Sequence, residues 1–596
     1  MELPGFPSAT ENTLRHIAET RCGYVILLMS IYFMTEAIPL GVTALIPVFA
    51  FPLLGVLSSS IVCSTYSMET NIFFLGGLIV AVTIEHCNLH KRIALFVILH
   101  VGQSPRKLMF GFMLNTMLLS MWISNTASTA MMIPIVQSVL KELEKTMEMK
   151  DLDSPRIDER TAKQDTEEGI MINPEDTKYL TEKSFSKYGE NENLYNPEEA
   201  NMLYNGATEK NVQNISDEKE KKNCGVDFKT LKTMYFLGVA YAANVGGTGS
   251  LTGTGPNLIM KGILDDSYDE PNNLNFGTWM IFNVPGMILC TLSCFIWLQF
   301  LFVGFGSRSK LPNVTEKQRK KVKEIITNQY KSLGKISFHE SSVLIVFVTL
   351  ALLWFFREPG FMPGWGDLFK FIYPNITYGN VVPTFLAVVF MSVLPSHPNF
   401  WPNGPSESCI TWKILQEKLP WNIFLLIGGG KAIARGFVDS GLSLAIGEKL
   451  KIFDSFPPSF SALVFSISIA LGTEVASNGA MVAISMPILN EIALRTCINP
   501  LFLMLPAVVC CSYAFMLPVS TPPNALVYGV AGGDMKIKDM LKAGIVMNIL
   551  CVLIINLMIN TLGVAMFNVG ELPSWANSTT TQEHIQQCWK NSSVLV

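Results

Sequence analysis

Charge is what this sequence has least of. Only 15% of its 596 residues are Asp, Glu, Lys or Arg, while 49% are hydrophobic and the mean hydropathy is +0.34, more apolar side chain than a soluble fold hides. No basic tract with interleaved aromatics occurs, so nucleic acid is excluded as a partner. The twelve cysteines show no CxxC spacing and no neighbouring His cluster, which predicts neither a zinc site nor a disulfide framework. Packing cysteines are expected, and Cys22, Cys63 and Cys588 are candidates for a shared external face, where a disulfide is allowed but the sequence does not pair them. Residues 1–22 are polar and contain no stretch able to serve as a signal peptide.

In place of charge stands a series of long apolar runs. A pass through the hydrocarbon core takes roughly 20 such residues, and the runs 23–57 (two passes bent at Pro39), 70–86, 278–304, 341–356, 380–395 and 540–566 approach that length. With the interrupted segments below, about ten passes are expected in an all-α polytopic membrane protein.

One phrase is written twice. Residues 124–135 read SNTASTAMMIPI and 477–488 read SNGAMVAISMPI. Upstream, Asn71-Ile72-Phe73 and Asn422-Ile423-Phe424, each followed by a glycine run, precede the two Ser-Asn pairs by 53 and 55 residues. Downstream, GTGPN (253–257) and STPPN (520–524) follow them by 129 and 43; the excess of 86 falls where the hydrophilic stretch 141–230 intervenes. Landmarks kept in register predict two repeated halves.

Within each half, two segments resist reading as simple passes. Runs 108–140 and 459–494 are too long for one pass and carry polar residues at mid-length, among them Ser128 and Thr129 in the first. Such polar tips are tolerated when buried in protein or lining a cavity, which predicts two re-entrant hairpins. Runs 232–264 and 499–531 are interrupted by Gly246 to Pro256 and by Pro518, Pro522 and Pro523, predicting two broken helices. Lys91-Arg92, Arg106-Lys107, nine Lys or Arg against three acidic residues in 305–340, and Lys536 with Lys538 are cytoplasmic by charge. Sequons at Asn577 and Asn591 are predicted glycosylation sites on an external C-terminus. The halves are thereby inverted, the first hairpin entering from the cytoplasm and the second from outside.

Inverted halves with discontinuous helices meeting near the midplane are the logic of a secondary transporter. Helix N-termini present N–H groups to an anion, and unwound carbonyls and hydroxyls present oxygens to a hard cation. No Arg or Lys sits in the four motifs, so bound cations have to supply the positive charge. Small residues also serve ordinary helix contacts in membranes, but four motifs in paired register favour a binding site. Gly247 to Gly253 reads GxGxxxG in an apolar run with no preceding strand, which argues against a dinucleotide loop and an enzyme.

At these residues the chain resembles the divalent-anion/sodium symporter family, the sodium-coupled dicarboxylate, citrate and sulfate transporters, and within it the INDY-type animal carboxylate transporters. The likeness is carried by TEAIPLGVTALIP (35–47), NLHKRIAL (88–95), LSMWISNTASTAMM (119–132), GTGPN, PGFMPGW (359–365), the TE-x-ASN tip (473–478) and FMLPVSTPPNA (515–525). It implies a homodimer whose protomers pair a scaffold with a moving transport part, of the elevator type. It implies a first Na+ site at Ser120, Ser124, Asn125, Gly253 and Gly255, and a second at Thr473, Ala476, Asn478 and Ser520. Substrate contacts would come from Ser124, Asn125, Thr126, Ser477, Asn478, Gly479, Thr521 and Pro522. GTGPN and STPPN resemble the carboxylate branch, favouring succinate- or citrate-like substrates in Na+ symport across the plasma membrane. Na+-independent exchange, sulfate transport and a transport-dead homologue are the alternatives.

Three departures stand out. The resembled family carries one more hydrophobic helix ahead of Arg21, which is the ground for the transport-dead alternative; Gly479 replaces its Thr or Val, and Lys431 its Phe. The expected division is a polar segment 1–22, first-repeat helices and hairpin 23–140, a hydrophilic cytoplasmic loop 141–230, a broken helix and span 231–304, a basic cytoplasmic loop 305–340, the second repeat 341–570 and an extracellular tail 571–596.

Overall fold

A computed structural model describes residues 11–35, 37–102, 104–153, 228–268, 272–304, 316–359, 362–376, 378–397, 407–442, 445, 456–569 and 572–576. Among them the backbone is helical, with an isolated bridge between Pro395 and Ser408 and no strand. Asn577, Asn591 and Cys588 lie outside the described residues.

The first half comprises α1 (Glu11–Thr35), α2 (Glu69–His86), α3 (Leu89–Val101), α4 (Pro105–Ser120), α5 (Asn125–Asp153), α6 (Phe228–Gly246), α7 (Gly255–Ser267) and α8 (Phe276–Phe302). After α9 (Glu316–Ser332) come α10 (Phe338–Phe355), α11 (Val381–Val393), α12 (Trp421–Asp439), α13 (Pro458–Gly472), α14 (Asn478–Arg495), α15 (Pro500–Cys510), α16 (Pro522–Ala531) and α17 (Ile537–Met558), which runs on through a π turn to Phe567. Among the described residues, five helical stretches are long and apolar enough to cross a membrane: His16–Thr35, Ser59–His86, Phe276–Phe302, Phe338–Phe355 and Ile537–Phe567. Leu40–Leu53, Val381–Val393, Pro458–Gly472 and Pro500–Cys510 are apolar but shorter.

Sequence and structure part at three places. α1 runs through residue 22 and across Gly23 without a break, because its sequence holds no Pro and helix formation does not depend on polarity. Residues 316–332 of the basic loop are helical: Val322 and Ile326, four apart, are buried while Arg319, Lys320 and Lys323 stay in solvent. Cys497, expected to pack, is disulfide-bonded, while Cys22 and Cys63, named as disulfide candidates, are free.

By contact, Met1–Leu140, Phe228–Ser309 and Asn313–Val596 form one compact unit, and Lys141–Asp227 with Lys310–Pro312 another. Within the first unit the ends of the helices are fixed by polar anchors. Tyr235 in α6 donates to the Pro105 carbonyl at the start of α4 at 2.6 Å, and Lys232 to Asp534, just before α17, at 2.8 Å. α4, α6 and α17 therefore start at one end. Ser459 at the start of α13 meets Asn560, and Asn499 before α15 donates to the Phe567 carbonyl at 3.3 Å, both at the far end of the α17 stretch. α13 and α15 thus begin at the opposite end from α4 and α6. α2 and α12 are likewise antiparallel: Lys418 ahead of α12 pairs with Glu85 near the end of α2 at 3.6 Å, and Lys431 in α12 reaches Thr70 at its start.

Candidate functional site

Each copy of the repeated phrase lies at a turn between two helices. Ser124 and Ser477 stand just before α5 and α14, and their hydroxyls accept from the N–H groups of Ala127 (3.2 Å) and Ala480 (3.3 Å), the capping that starts a helix at that point. Asn115 of α4 faces Met132 of α5, and Gly472 faces Met481. The chain folds back on itself in both cases.

Five residues before each asparagine sits a hydroxyl with a different role. Ser120 Oγ is 2.6 Å from Asn125 Oδ1 and 2.8 Å from the Ala243 carbonyl. Thr473 Oγ1 is 2.8 Å from Asn478 Oδ1 and 2.8 Å from the Cys511 carbonyl. A hydroxyl has one hydrogen to give, yet each of these faces two acceptors. Both triplets therefore hold more lone pairs than hydrogens, which is the oxygen donor set a hard cation takes. The residues present fit Na+.

The breaks repeat each other as closely as the tips do. Asn257 Nδ2 donates to the carbonyls of Gly247 (3.1 Å) and Ser250 (2.8 Å), and Asn524 Nδ2 to those of Ala514 (3.0 Å) and Leu517 (3.1 Å). The asparagine of each motif thus holds its own unwound segment closed. Thr254 (φ −150°, ψ 151°) and Thr521 (φ −145°, ψ 151°) share one backbone conformation ahead of α7 and α16, and neither hydroxyl caps its helix. With proline in the first turn of both, the positive ends of α7 and α16 face the breaks. Close approach is what the glycines supply: a Cβ on Gly247 would stand 2.5 Å from Asn125 Oδ1, and one on Gly253 2.5 Å from the Gly247 carbonyl.

Of the predicted Na+ residues, Ser120 with Asn125 and Thr473 with Asn478 come together as pairs. Gly253 and Gly255 flank the first triplet's break without joining it. Ser520 Oγ donates to Glu474 at 2.6 Å rather than to the second triplet, and the Ala476 N–H is taken by the Gly472 carbonyl at 3.0 Å. Among the predicted substrate residues, Ser124, Thr126 and Pro522 are exposed, Asn125, Ser477, Asn478 and Gly479 half-buried, and Thr521 buried. Gly479 is a notch filled by Leu426 of α12, 2.5 Å from where a Cβ would lie. A cavity of about 490 Å³ lies elsewhere, beside the start of α2 and the far half of α7, and none of the substrate residues lines it.

Two residues at the centre were not expected. Asn244 Nδ2 reaches Thr521 Oγ1 (3.1 Å), the Ala514 carbonyl (3.2 Å) and Asn524 Oδ1 (3.4 Å), tying one broken helix to the other. Glu474, 3% exposed, accepts from the N–H groups of Phe515 (2.7 Å), Met516 (3.0 Å) and Leu517 (3.3 Å), from Ser520 Oγ and from Asn548 Nδ2 (2.8 Å). Its counterpart in the first copy of the repeat is Met121, whose carbonyl accepts from Ser250. A buried polar residue beside each motif was the available signal: Asn244 stands in the apolar second half of α6, and Glu474 is the acid inside the TE-x-ASN tip.

Comparison with known proteins places these motifs in context. The family model described as sodium:sulfate symporter transmembrane region matches residues 12–569. The Na(+)/dicarboxylate cotransporter 3 of Rattus norvegicus is 41% identical over 573 residues, 94% of this chain and 90% of the relative. The Na(+)/citrate cotransporter of Mus musculus is 37% identical over 576 residues, 94% and 93% of the two chains. Among solved structures, the YdaH transporter of Alcanivorax borkumensis aligns with a TM-score of 0.46 at 11% identity, over 92% of this chain and 99% of that one.

Proposed function

The chain belongs to the sodium:sulfate symporter family, and from that premise we propose that it moves a di- or tricarboxylate together with Na+ across the plasma membrane. The observation that carries the reading is the pair of hydroxyl, amide and carbonyl triplets, one in each half, set beside the positive ends of α7 and α16. Na+ is cargo. Bound at the triplets, it offsets the charge of the Glu474 carboxylate and of a carboxylate substrate, neither of which faces a Lys or Arg at the tips. Relatives named for dicarboxylate and citrate cotransport support the substrate class.

In this reading α4–α8 and α13–α17 form the transport part and α1–α3 with α10–α12 the scaffold, two such protomers making a dimer. The hairpins are re-entrant, α4 entering from the cytoplasm and α13 from outside; opposite starting ends and the basic residues near α3, α9 and α17 support that orientation. The substrate carboxylates meet Ser124, Asn125 and Thr126 from one side and Ser477, Asn478, Gly479, Thr521 and Pro522 from the other.

Uptake of radiolabelled succinate, citrate and sulfate by cells bearing the protein at their surface, with Na+ or with choline in its place, tests the reading. Na+-dependent succinate or citrate uptake is expected. Uptake indifferent to Na+, sulfate preferred over both carboxylates, or no uptake above background contradicts it.

A further inference from the structure

The cavity of about 490 Å³ holds a lysine that the tips do not use. Lys431 is 1% exposed. Its stem crosses α7 at Gly262, where any Cβ would collide with its Cε, so α7 carries a notch that fits this side chain. The ammonium beyond the notch meets only the Thr70 hydroxyl and, at 3.4 Å, the Met68 thioether. No described carboxylate comes within 4.0 Å of it.

Two other cations of the cavity wall are matched: Lys261 pairs with Asp265, and Arg357 with Glu358 at 3.0 Å. Even so, Arg357 Nε is buried with no acceptor. Lys370 lines the same wall. An ammonium taken out of water for one hydroxyl and a thioether, with Asp266, Asp265 and Glu69 acting on it only from beyond 4.0 Å, has lost more than it regains. An anion in the cavity makes up that loss.

We propose that this cavity binds a small carboxylate anion, with Lys431 Nζ as its charge partner, at a position separate from the helix tips. Glu69 and Asp266 also line it, and their charge leaves room for one carboxylate group at the lysine, with Arg357 and Lys370 on the same wall available to a second. The choice of carboxylate among anions rests on the transport reading. α7 forms a wall of both places: Leu258 lines the cavity, and its neighbour Ile259 lies 3.6 Å from a Cβ position on Gly479. A carboxylate held at Lys431 therefore waits one helix face away from the tip of the second hairpin.

The test is equilibrium binding of radiolabelled succinate to the purified full-length protein in lipid nanodiscs, with all Na+ replaced by N-methyl-D-glucamine. Wild type is expected to bind, and Lys431→Met to bind at least about tenfold more weakly, the usual worth of a charged hydrogen bond. Gly262→Ala, which keeps the lysine but displaces its stem, is expected to weaken binding as well, and stands in should Lys431→Met fail to yield a monodisperse protein. The double variant Asn125→Ala with Asn478→Ala, altered only at the tips, is expected to keep this Na+-free binding. No Na+-free binding by wild type, unchanged binding in Lys431→Met or in Gly262→Ala, its loss in the tip double variant, or equal displacement of succinate by sulfate or chloride overturns the proposal. Na+-free binding that persists while Na+-dependent uptake is absent counts against the transport reading alone.

Discussion

At the scale of single residues, the two half-sites share their oxygens but not their charge. Ser120 and Thr473 occupy matching places, so on the proposed reading removing either hydroxyl takes one ligand from one cation. Ser120→Ala is expected to raise the Na+ concentration for half-maximal uptake about tenfold, read from Na+ titrations at fixed succinate; an unchanged curve removes Ser120 from the site. Glu474 has no such twin. Its five donors hold a charge in the second break, and Glu474→Gln turns an amide N–H₂ toward backbone N–H groups of Phe515, Met516 and Leu517, which have only hydrogens to give. A loss of roughly 2–4 kcal/mol is expected, seen as a lower Tm of the purified protein, and an unchanged Tm contradicts the account. These residues differ in how far the sequence discloses them. Ser124, Asn125, Ser477 and Asn478 declare themselves because the phrase is written twice. Asn244 and Glu474 occur on one side only, so no repeat exposes them, and only the fold brings Asn244 to Thr521. Gly479 is a departure that the structure explains: Leu426 fills the space that a Thr or Val side chain would need.

At the scale of elements, the site is held by places where two backbones approach without side chains between them. A Cβ on Gly246 would run into the Met117 carbonyl and also approach Ser120 Cβ at 2.9 Å; backbone cannot rotate away as a side chain can. Gly246→Ala is expected to abolish uptake while Gly529→Ala, with open space around it, leaves uptake unchanged; equal uptake by both variants would refute the close-packing argument. A second anchor is Arg92, which pairs with Glu340 at 3.0 Å in a buried bridge and donates to the carbonyls of Leu333 (3.1 Å) and Gly334 (3.0 Å), fixing α3 to the elbow between α9 and α10. Glu340→Ala leaves the guanidinium buried and unpaired, and about 3–5 kcal/mol of stability is expected to go with it. Arg92→Met with Glu340→Leu is expected to lose less, read from the Tm of both variants. Element type was largely legible from apolar runs and glycine or proline breaks. α9 was not, because six Lys and Arg within its length mask a stripe of only a few apolar residues, and the Cys497 bridge was not, because spacing does not pair cysteines.

At the scale of the whole molecule, the repeat is what makes the protein a carrier rather than a pore in this account. The hairpins start from opposite ends, the broken helices run in opposite directions, and Asn244 to Thr521 joins the halves at their common centre. On the proposed function, that centre would move as one body past α2 and α12 and be exposed alternately, with Na+ bound at both triplets before the substrate is held. The claim at the root of all this is that the two triplets bind Na+. It is tested most directly by the Tm of the purified protein in rising NaCl against rising KCl, with no substrate present. The account predicts that Na+ but not K+ stabilises the wild type, that Ser120→Ala and Thr473→Ala each lose part of the shift, and that the double variant loses all of it. A double variant stabilised by Na+ as fully as the wild type would place the ions elsewhere and contradict the account.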